Sequence, residues 1–232
     1  MKKIVFSFLG VVILGLSSCL KKGNNTETLP TMPAIVTYYN TYFQAMIKTP
    51  YGSFFAPELQ NITDLMEGTA IIVSTCGINY NEQTSPNYYT VSNMQWLHVG
   101  MGWPSGYESS DFDTPIEDMY LLGLVENSLF FVFKHTAPSD QVFIYEMTYD
   151  PTDSYDIPIL YLRAKKIDTG SESTKANAYF YGFNMYSYFY SHKDSQNKVR
   201  FRIAYKTVDK EGNDKYEPYI YNGYAYLEIT VE

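Results

Sequence analysis

Few residue types in this chain could do chemistry, and their spacing limits what that chemistry could be. There are three histidines, His98, His135 and His192. A zinc site takes three or four ligands, usually with a local pair such as His-x3-His. These histidines have no local partner, and each reads as an ordinary strand or surface residue. A nucleophilic serine needs an activating base beside it. No Gly-x-Ser-x-Gly elbow occurs, and Trp103-Pro-Ser-Gly106 reads as a loop. Glu108, Asp111, Asp113, Glu117 and Asp118 place five acids within eleven residues. Calcium collects carboxylate and carbonyl oxygens from a flexible loop. This spacing matches no calcium loop and holds no internal glycine, so it reads as a solvated acidic linker. No catalytic residue, metal ligand or cofactor is assigned.

The two cysteines differ in context. Cys19 follows Leu16-Ser17-Ser18, which in turn follows Lys2, Lys3 and an apolar run from Ile4 to Leu16. Thirteen residues rise about 20 Å as a helix, short of the ~30 Å hydrocarbon core. The run is therefore the h-region of a signal peptide rather than a membrane span. Leu16-Ser17-Ser18-Cys19 resembles a bacterial lipobox. That resemblance implies cleavage before Cys19 and diacylation of its sulfur, two chains anchoring where one is marginal. Cys76 is then alone, so the mature chain has no intramolecular disulfide. It sits in the apolar run Thr69–Cys76 with no cation or base nearby in sequence, and reads as a buried structural thiol.

Elements that could position such groups are β-strands. Aromatic residues make up 17% of the 232 residues, and Tyr alone numbers 24. Tyrosine fits a half-buried pleated surface, which favours an all-β protein over a helical bundle. After the signal (1–18), residues 19–33 are polar with Gly and Pro and read as a flexible tether. Runs at 35–39, 42–47, 53–56, 69–75, 88–91 and 94–99 have the spacing of a small barrel. From 100 to 118, glycines and prolines interrupt the pattern. The later half alternates cleanly, as in Val199, Phe201, Ile203 and Tyr205 against Arg200 and Arg202. The predicted organisation is a small OB-like β-barrel (34–108) and an antiparallel immunoglobulin-like β-sandwich (109–232).

At this point a family resemblance enters. Tyr51-Gly-Ser-Phe-Phe-Ala-Pro57, Leu65-Met-Glu-Gly68 followed by Ile71-Ile-Val73, Phe183-Asn-Met-Tyr-Ser-Tyr188, Val199–Tyr205 and Asp209-Lys-Glu-Gly212 resemble segments of the NigD-like lipoproteins of Bacteroidetes. The resemblance implies a lipobox, an OB-like domain, a C-terminal sandwich, and no catalytic residues to transfer.

The expectation is a non-enzymatic cell-envelope lipoprotein, a binding or structural module for another envelope component. The alternative is a surface lipoprotein that binds glycans through exposed aromatics. Trp96, Trp103, Tyr107, Tyr186, Tyr188 and Tyr190 are the candidates for such contact. Nucleic acid is disfavoured, because the formal charge is −8 and phosphate contacts need clustered cations. Membrane attachment runs through Cys19. Leu20-Lys21-Lys22 follows it where acids would favour surface export, which favours the periplasmic side of the outer membrane over the cell surface. Cys19→Ala should abolish palmitate incorporation and lower the protein's share in membrane fractions. Protease added to intact cells should leave the wild type uncut; cleavage there would move it to the cell surface.

Overall fold

The computed structural model describes residues 26–39, 44–62, 65–79, 89–138, 140–152, 156–167 and 174–231. Leu16, Ser17, Ser18 and Cys19 lie outside them. No helix among the described residues is long and apolar enough to cross a membrane. Contacts divide the chain into two units. One holds the residues up to Val99 with Gly123–Glu126; the other holds Gly100–Leu122 with Asn127–Glu232. The described residues are all-β apart from one short helix and a 3-10 turn.

The first unit contains β1 (Thr26–Leu29), β2 (Met32–Tyr39), β3 (Gln44–Thr49), β4 (Gly52–Phe55), β5 (Ala70–Asn79) and β6 (Tyr89–His98). The hydrogen-bonded order β5-β2-β3-β4-β6 returns to β5, which also pairs with β6. Five strands thus close on themselves, with β4 and β6 parallel and the other neighbours antiparallel. This is an OB-like barrel. Met32, Ala34 and Val36 alternate inward along β2, and Ile71 and Val73 do so along β5. Register shifts on either side of Thr75 then hand the inner face of β5 to Cys76 and Ile78. Residues 26–33 differ from the expected tether. β1 pairs with the end of β5, and Leu29 and Met32 are buried in the barrel core. Two apolar side chains among polar neighbours suffice to fix the segment.

The second unit is a two-sheet sandwich. Its strands are β7 (Gly100–Gly102), β8 (Pro104–Ser105), β9 (Asp118–Val125), β10 (Ser128–Pro138), β11 (Val142–Thr148), β12 (Ile159–Ile167), β13 (Thr174–Asn184), β14 (Lys198–Val208), β15 (Asp214–Pro218) and β16 (Leu227–Thr230). One sheet runs β7-β13-β10-β9. The other runs β15-β14-β12-β11-β8, with β16 also on β14. Residues 100–105 serve both sheets, β7 pairing with β13 and β8 with β11. These residues were expected in the barrel because their glycines look like loop punctuation. The glycines instead face rings. Gly100 pairs with Tyr181, Met101 with Gly182, and Gly102 with Phe183. A Cβ on Gly100 would lie 2.4 Å from the Tyr181 ring. The two strands therefore approach only because each rung opposes a glycine to a bulky side chain.

The acidic stretch is a strap rather than a solvated linker. β12 and β14 pair in parallel from Ile159 to Leu162 and then part. Thr114 bridges Ala164, and the Ile116 N–H donates to the Lys206 carbonyl, so the strap fills the opening. Ile116 is fully buried. Acids hold it on both sides. Glu108 pairs with Arg163, Asp111 with Lys165 and Asp118 with Lys134, while Glu117 accepts hydrogen bonds from the Thr136 N–H and hydroxyl. Across the sandwich edge, the Tyr219 hydroxyl accepts the Leu121 N–H of β9 at 2.9 Å.

A methyl group at Gly182 would lie 2.6 Å from the Met101 sulfur and 2.8 Å from the buried Phe130 ring. Gly182→Ala should therefore destabilise the second unit by about 1–3 kcal/mol, measured as a lowered urea midpoint. An unchanged midpoint would mean the strands have room to spare.

Candidate binding surface

Helix α1 (Tyr186–His192) follows β13 directly. The Asn184 side-chain oxygen accepts the Tyr186 N–H, and the Asn127 carbonyl accepts the Met185 N–H, which turns the chain into the helix. Tyr188 and Phe189 face inward against Phe201. Tyr186 and Tyr190, four residues apart, share the outward face. Their rings are 6.1 Å apart and within 19° of parallel. The Lys193 ammonium lies 4.7 Å from the centre of the Tyr190 ring. The sequence pattern does not predict this helix, because Tyr and Phe favour strands and only burial of one side selects the 3.6-residue period.

Trp103 and Tyr107 lie at the same end of the second unit. Gly102 pairs with Phe183, so Trp103 follows alongside the last residues of β13, where α1 begins. The Ser105 carbonyl accepts the Tyr149 N–H, and the Tyr149 ring meets Tyr188 and His192 edge-on at 5.1 and 5.5 Å. Ser105 Oγ accepts the Tyr107 N–H. Tyr107 is 87% exposed, Trp103 64% and Tyr190 62%. Four of the six sequence candidates thus present rings to solvent from one end. The other two do not. Tyr188 is buried, stacked on His192 at 4.1 Å. Trp96 is half-buried on β6 and packs against the barrel core. The sequence reading also passed over Tyr216, Ile220, Tyr224 and Tyr226, which are exposed near the C-terminus. Their signal was the Asn222-Gly223 pair between aromatics, a hairpin-turn mark.

Comparison with known proteins bears on the fold. No family model and no curated protein matches the chain. Solved structures do. An uncharacterized protein from Parabacteroides merdae aligns over 88% of this chain and all of its own, with a TM-score of 0.65 and 14% identity. A "putative lipoprotein" from Bacteroides fragilis aligns over 83% of this chain and 97% of its own, at TM-score 0.57 and 11% identity. A NigD-like immunity protein from Bacteroides caccae aligns over 82% and 91%, at TM-score 0.54 and 10% identity. The chain has a NigD-like fold. At these identities the likeness is one of architecture, in agreement with the segments that resemble NigD-like lipoproteins.

Among the described residues, several groups that could react are engaged otherwise. Ser191 Oγ and His192 Nδ1 lie 2.9 Å apart, but Nδ1 also lies 2.8 Å from the Tyr188 carbonyl oxygen. An Nδ1–H donated to that carbonyl leaves no lone pair there to accept the serine proton. The His98 side chain lies outside the described residues. Burial pushes the Cys76 thiol up to about 11, with Glu58 adding to the effect, so it stays protonated near neutrality. Among the described residues no group of three His, Cys, Asp or Glu side chains is placed to hold a metal ion. Arg163, covered by the strap, is met by Glu146 and Glu108. Burial is the largest influence on Glu146 and raises its carboxyl above the usual range.

His135 lies inside the sandwich, flat against Phe143 at 4.0 Å and edge-on to Tyr179. Burial lowers its imidazole from 6.5 to about 4, against the opposing pull of Glu117 and a hydrogen bond to the Pro115 backbone. Between those two values the unfolded chain binds a proton that the folded chain refuses. Stability should therefore be full above pH 6.5 and fall as pH drops toward 4. Carboxyls held low, such as Asp194 and Asp209, should add their own loss only below that window. Urea midpoints at pH 7 and pH 5 check this: the wild type should weaken, and His135→Phe should flatten the difference.

Proposed function

We propose that the protein is a non-enzymatic, lipid-anchored protein of the cell envelope that works as a binding module. Its contact surface is the aromatic end of the second unit. The observation that carries this reading is the convergence of Trp103, Tyr107, Tyr186 and Tyr190, all solvent-facing, on one end of a rigid sandwich. Large rings bring contact area at low entropic cost, which suits recognition rather than turnover. The lipobox at Cys19 and the lipoprotein description of one structural neighbour support the anchor. The immunity-protein description of another supports a partner that is itself a protein. We place the protein on the periplasmic side of the outer membrane.

A second reading, glycan binding, draws on the near-parallel exposed pair Tyr186 and Tyr190. Sugar C–H faces stack on such rings, and the Lys193 ammonium at the Tyr190 ring stands ready to meet hydroxyl groups.

The Cys19→Ala form reaches the envelope only through its partner, so it isolates recognition from anchoring. Adding Trp103→Ala, Tyr186→Ala and Tyr190→Ala should cut its retention on isolated envelope fractions by about tenfold or more, with the thermal midpoint unmoved. Equal retention by the triple variant would remove the aromatic end from the reading. A glycan array separates the two partners: hits lost with Tyr186→Ala select the glycan, and a blank array leaves the protein.

A further inference from the structure

β13 is paired along its whole length on one side only. It lies against β10 rung by rung, without a bulge, from Thr174 opposite Pro138 to Asn184 opposite Ser128. On the other side, among the described residues, β7 takes only Tyr181, Gly182 and Phe183. The Met185 N–H donates to the Asn127 carbonyl, one rung past the end of the β10 ladder. Main-chain groups alternate between the two sides of a strand. The odd-numbered residues of β13 therefore turn theirs to β10, and the even-numbered ones turn theirs to the open side. Thr174, Ala176, Ala178 and Phe180 offer N–H and C=O groups there. The first three are exposed and Phe180 is half-buried.

A bare strand edge is a template for pairing, and proteins blunt it with charge, proline, shortness or cover. Neighbouring edges of this unit are blunted. β15 carries Asp214, Lys215, Glu217 and Pro218. On β9 the Tyr219 hydroxyl accepts the Leu121 N–H, and the Asp118 carboxylate accepts that of Met119. β8 and β16 run two and four residues. Residues 174–180 hold no proline, glycine or acid, and one charge, Lys175. Backbone donors and acceptors at the strand repeat select an extended polypeptide over a glycan or a lipid. This edge also complements itself. Turned end for end about Asn177, a second copy sets Ala176 against Ala178 and Thr174 against Phe180, all of them residues whose main-chain groups face outward. On the alternate rungs Lys175 stands opposite the half-buried Tyr179 ring, cation to aromatic, so no like charges meet. β7 begins opposite Tyr181 in each copy, which stops the ladder at both ends and sets its register. A ladder this short buries less than a stable soluble dimer needs. Anchors at Cys19 would confine both copies to one membrane surface and raise their effective concentration.

We propose that residues 174–180 are a dimer edge, on which two copies of this chain pair antiparallel across a two-fold axis at Asn177. The pairing goes beyond the binding-module reading and stands on other residues; it shares with that reading only the anchor. The test coexpresses full-length Ala176→Cys and Ala178→Cys chains, differently tagged, in the native cells and oxidises them with copper phenanthroline. The mixed disulfide dimer should form, and it should exceed the dimer from Ala176→Cys alone or from Val142→Cys, an exposed position on β11. Adding Ala178→Pro to the Ala176→Cys chain removes an outward N–H that the monomer does not use, so cross-linking should be lost at an unchanged thermal midpoint. If proline lowers the midpoint, Ala176→Lys with Ala178→Lys in the full chain serves instead: it sets like charges directly opposite across the axis, and the dimer that bifunctional amine-independent cross-linking of the wild type detects should be lost. Equal cross-linking from Val142→Cys, a dimer that survives both the proline and the lysine variants, or adducts to other proteins alone overturn the edge. No mixed dimer overturns it too, and the membrane share of the same samples tells whether the anchor failed as well.

Discussion

The second unit depends on one constraint: a large number of aromatic rings must share the narrow space between two sheets. Phe133 lies flat on Tyr145, and His135 lies flat on Phe143, each at 4.0 Å. From β13, Tyr179 meets Phe143, Tyr181 meets Tyr145 and Phe183 meets Phe131, all at steeper angles. Stacked and edge-on contacts satisfy the ring quadrupoles where a face-to-face sandwich of all of them would not. Rings of this size leave no volume for a second side chain on an adjacent strand. Gly100, Gly102 and Gly182 are the answer to that crowding, and they allow β7 to lie against β13. Because β7 is held there, Trp103 emerges at the mouth of the sandwich. The exposed aromatic end is thus a by-product of how the buried aromatics are accommodated.

Much of the architecture was legible in the chain, and the reason is periodicity. Val199, Phe201 and Ile203 face the core as strict alternation requires. The barrel agrees with apolar runs at short spacing, although those at 88–91 and 94–99 form the single strand β6. The failures share a cause. Gly100 and Gly102 were read as punctuation because a glycine that makes room for a ring looks the same, in one dimension, as a glycine that makes a turn. The acids from Glu108 to Asp118 looked solvated because their partners, Arg163, Lys165 and Lys134, come from distant strands. The surface was legible only in part. Composition identifies which rings exist, but burial decides which are offered. Tyr188 and Tyr190 are two residues apart, and only the helix period sends one inward and the other out.

Glu108, Asp111 and Asp118 illustrate how an acidic chain can spend its charge on structure. The Arg163 side chain is 8% exposed, and a buried guanidinium without counter-charge would cost several kcal/mol. Glu146 supplies one carboxylate from the neighbouring strand and Glu108 another from the strap. The exposed pairs at Lys165 and Lys134 contribute little individually. They hold the strap's course, and Ile116 supplies the apolar burial that keeps it there.

The threaded strap also sets an order of events. Ile116 rests between β12 and β14, and β14 in turn holds β15 and β16. The strap is made before β12 and β14, the strands between which it comes to lie. Such distant pairings must wait for loop closure before they are rewarded. A ribosome-bound or partly translocated chain would therefore hold an open sandwich with its ring-lined interior uncovered. Completion belongs to β14, which makes that strand the lock on the whole unit.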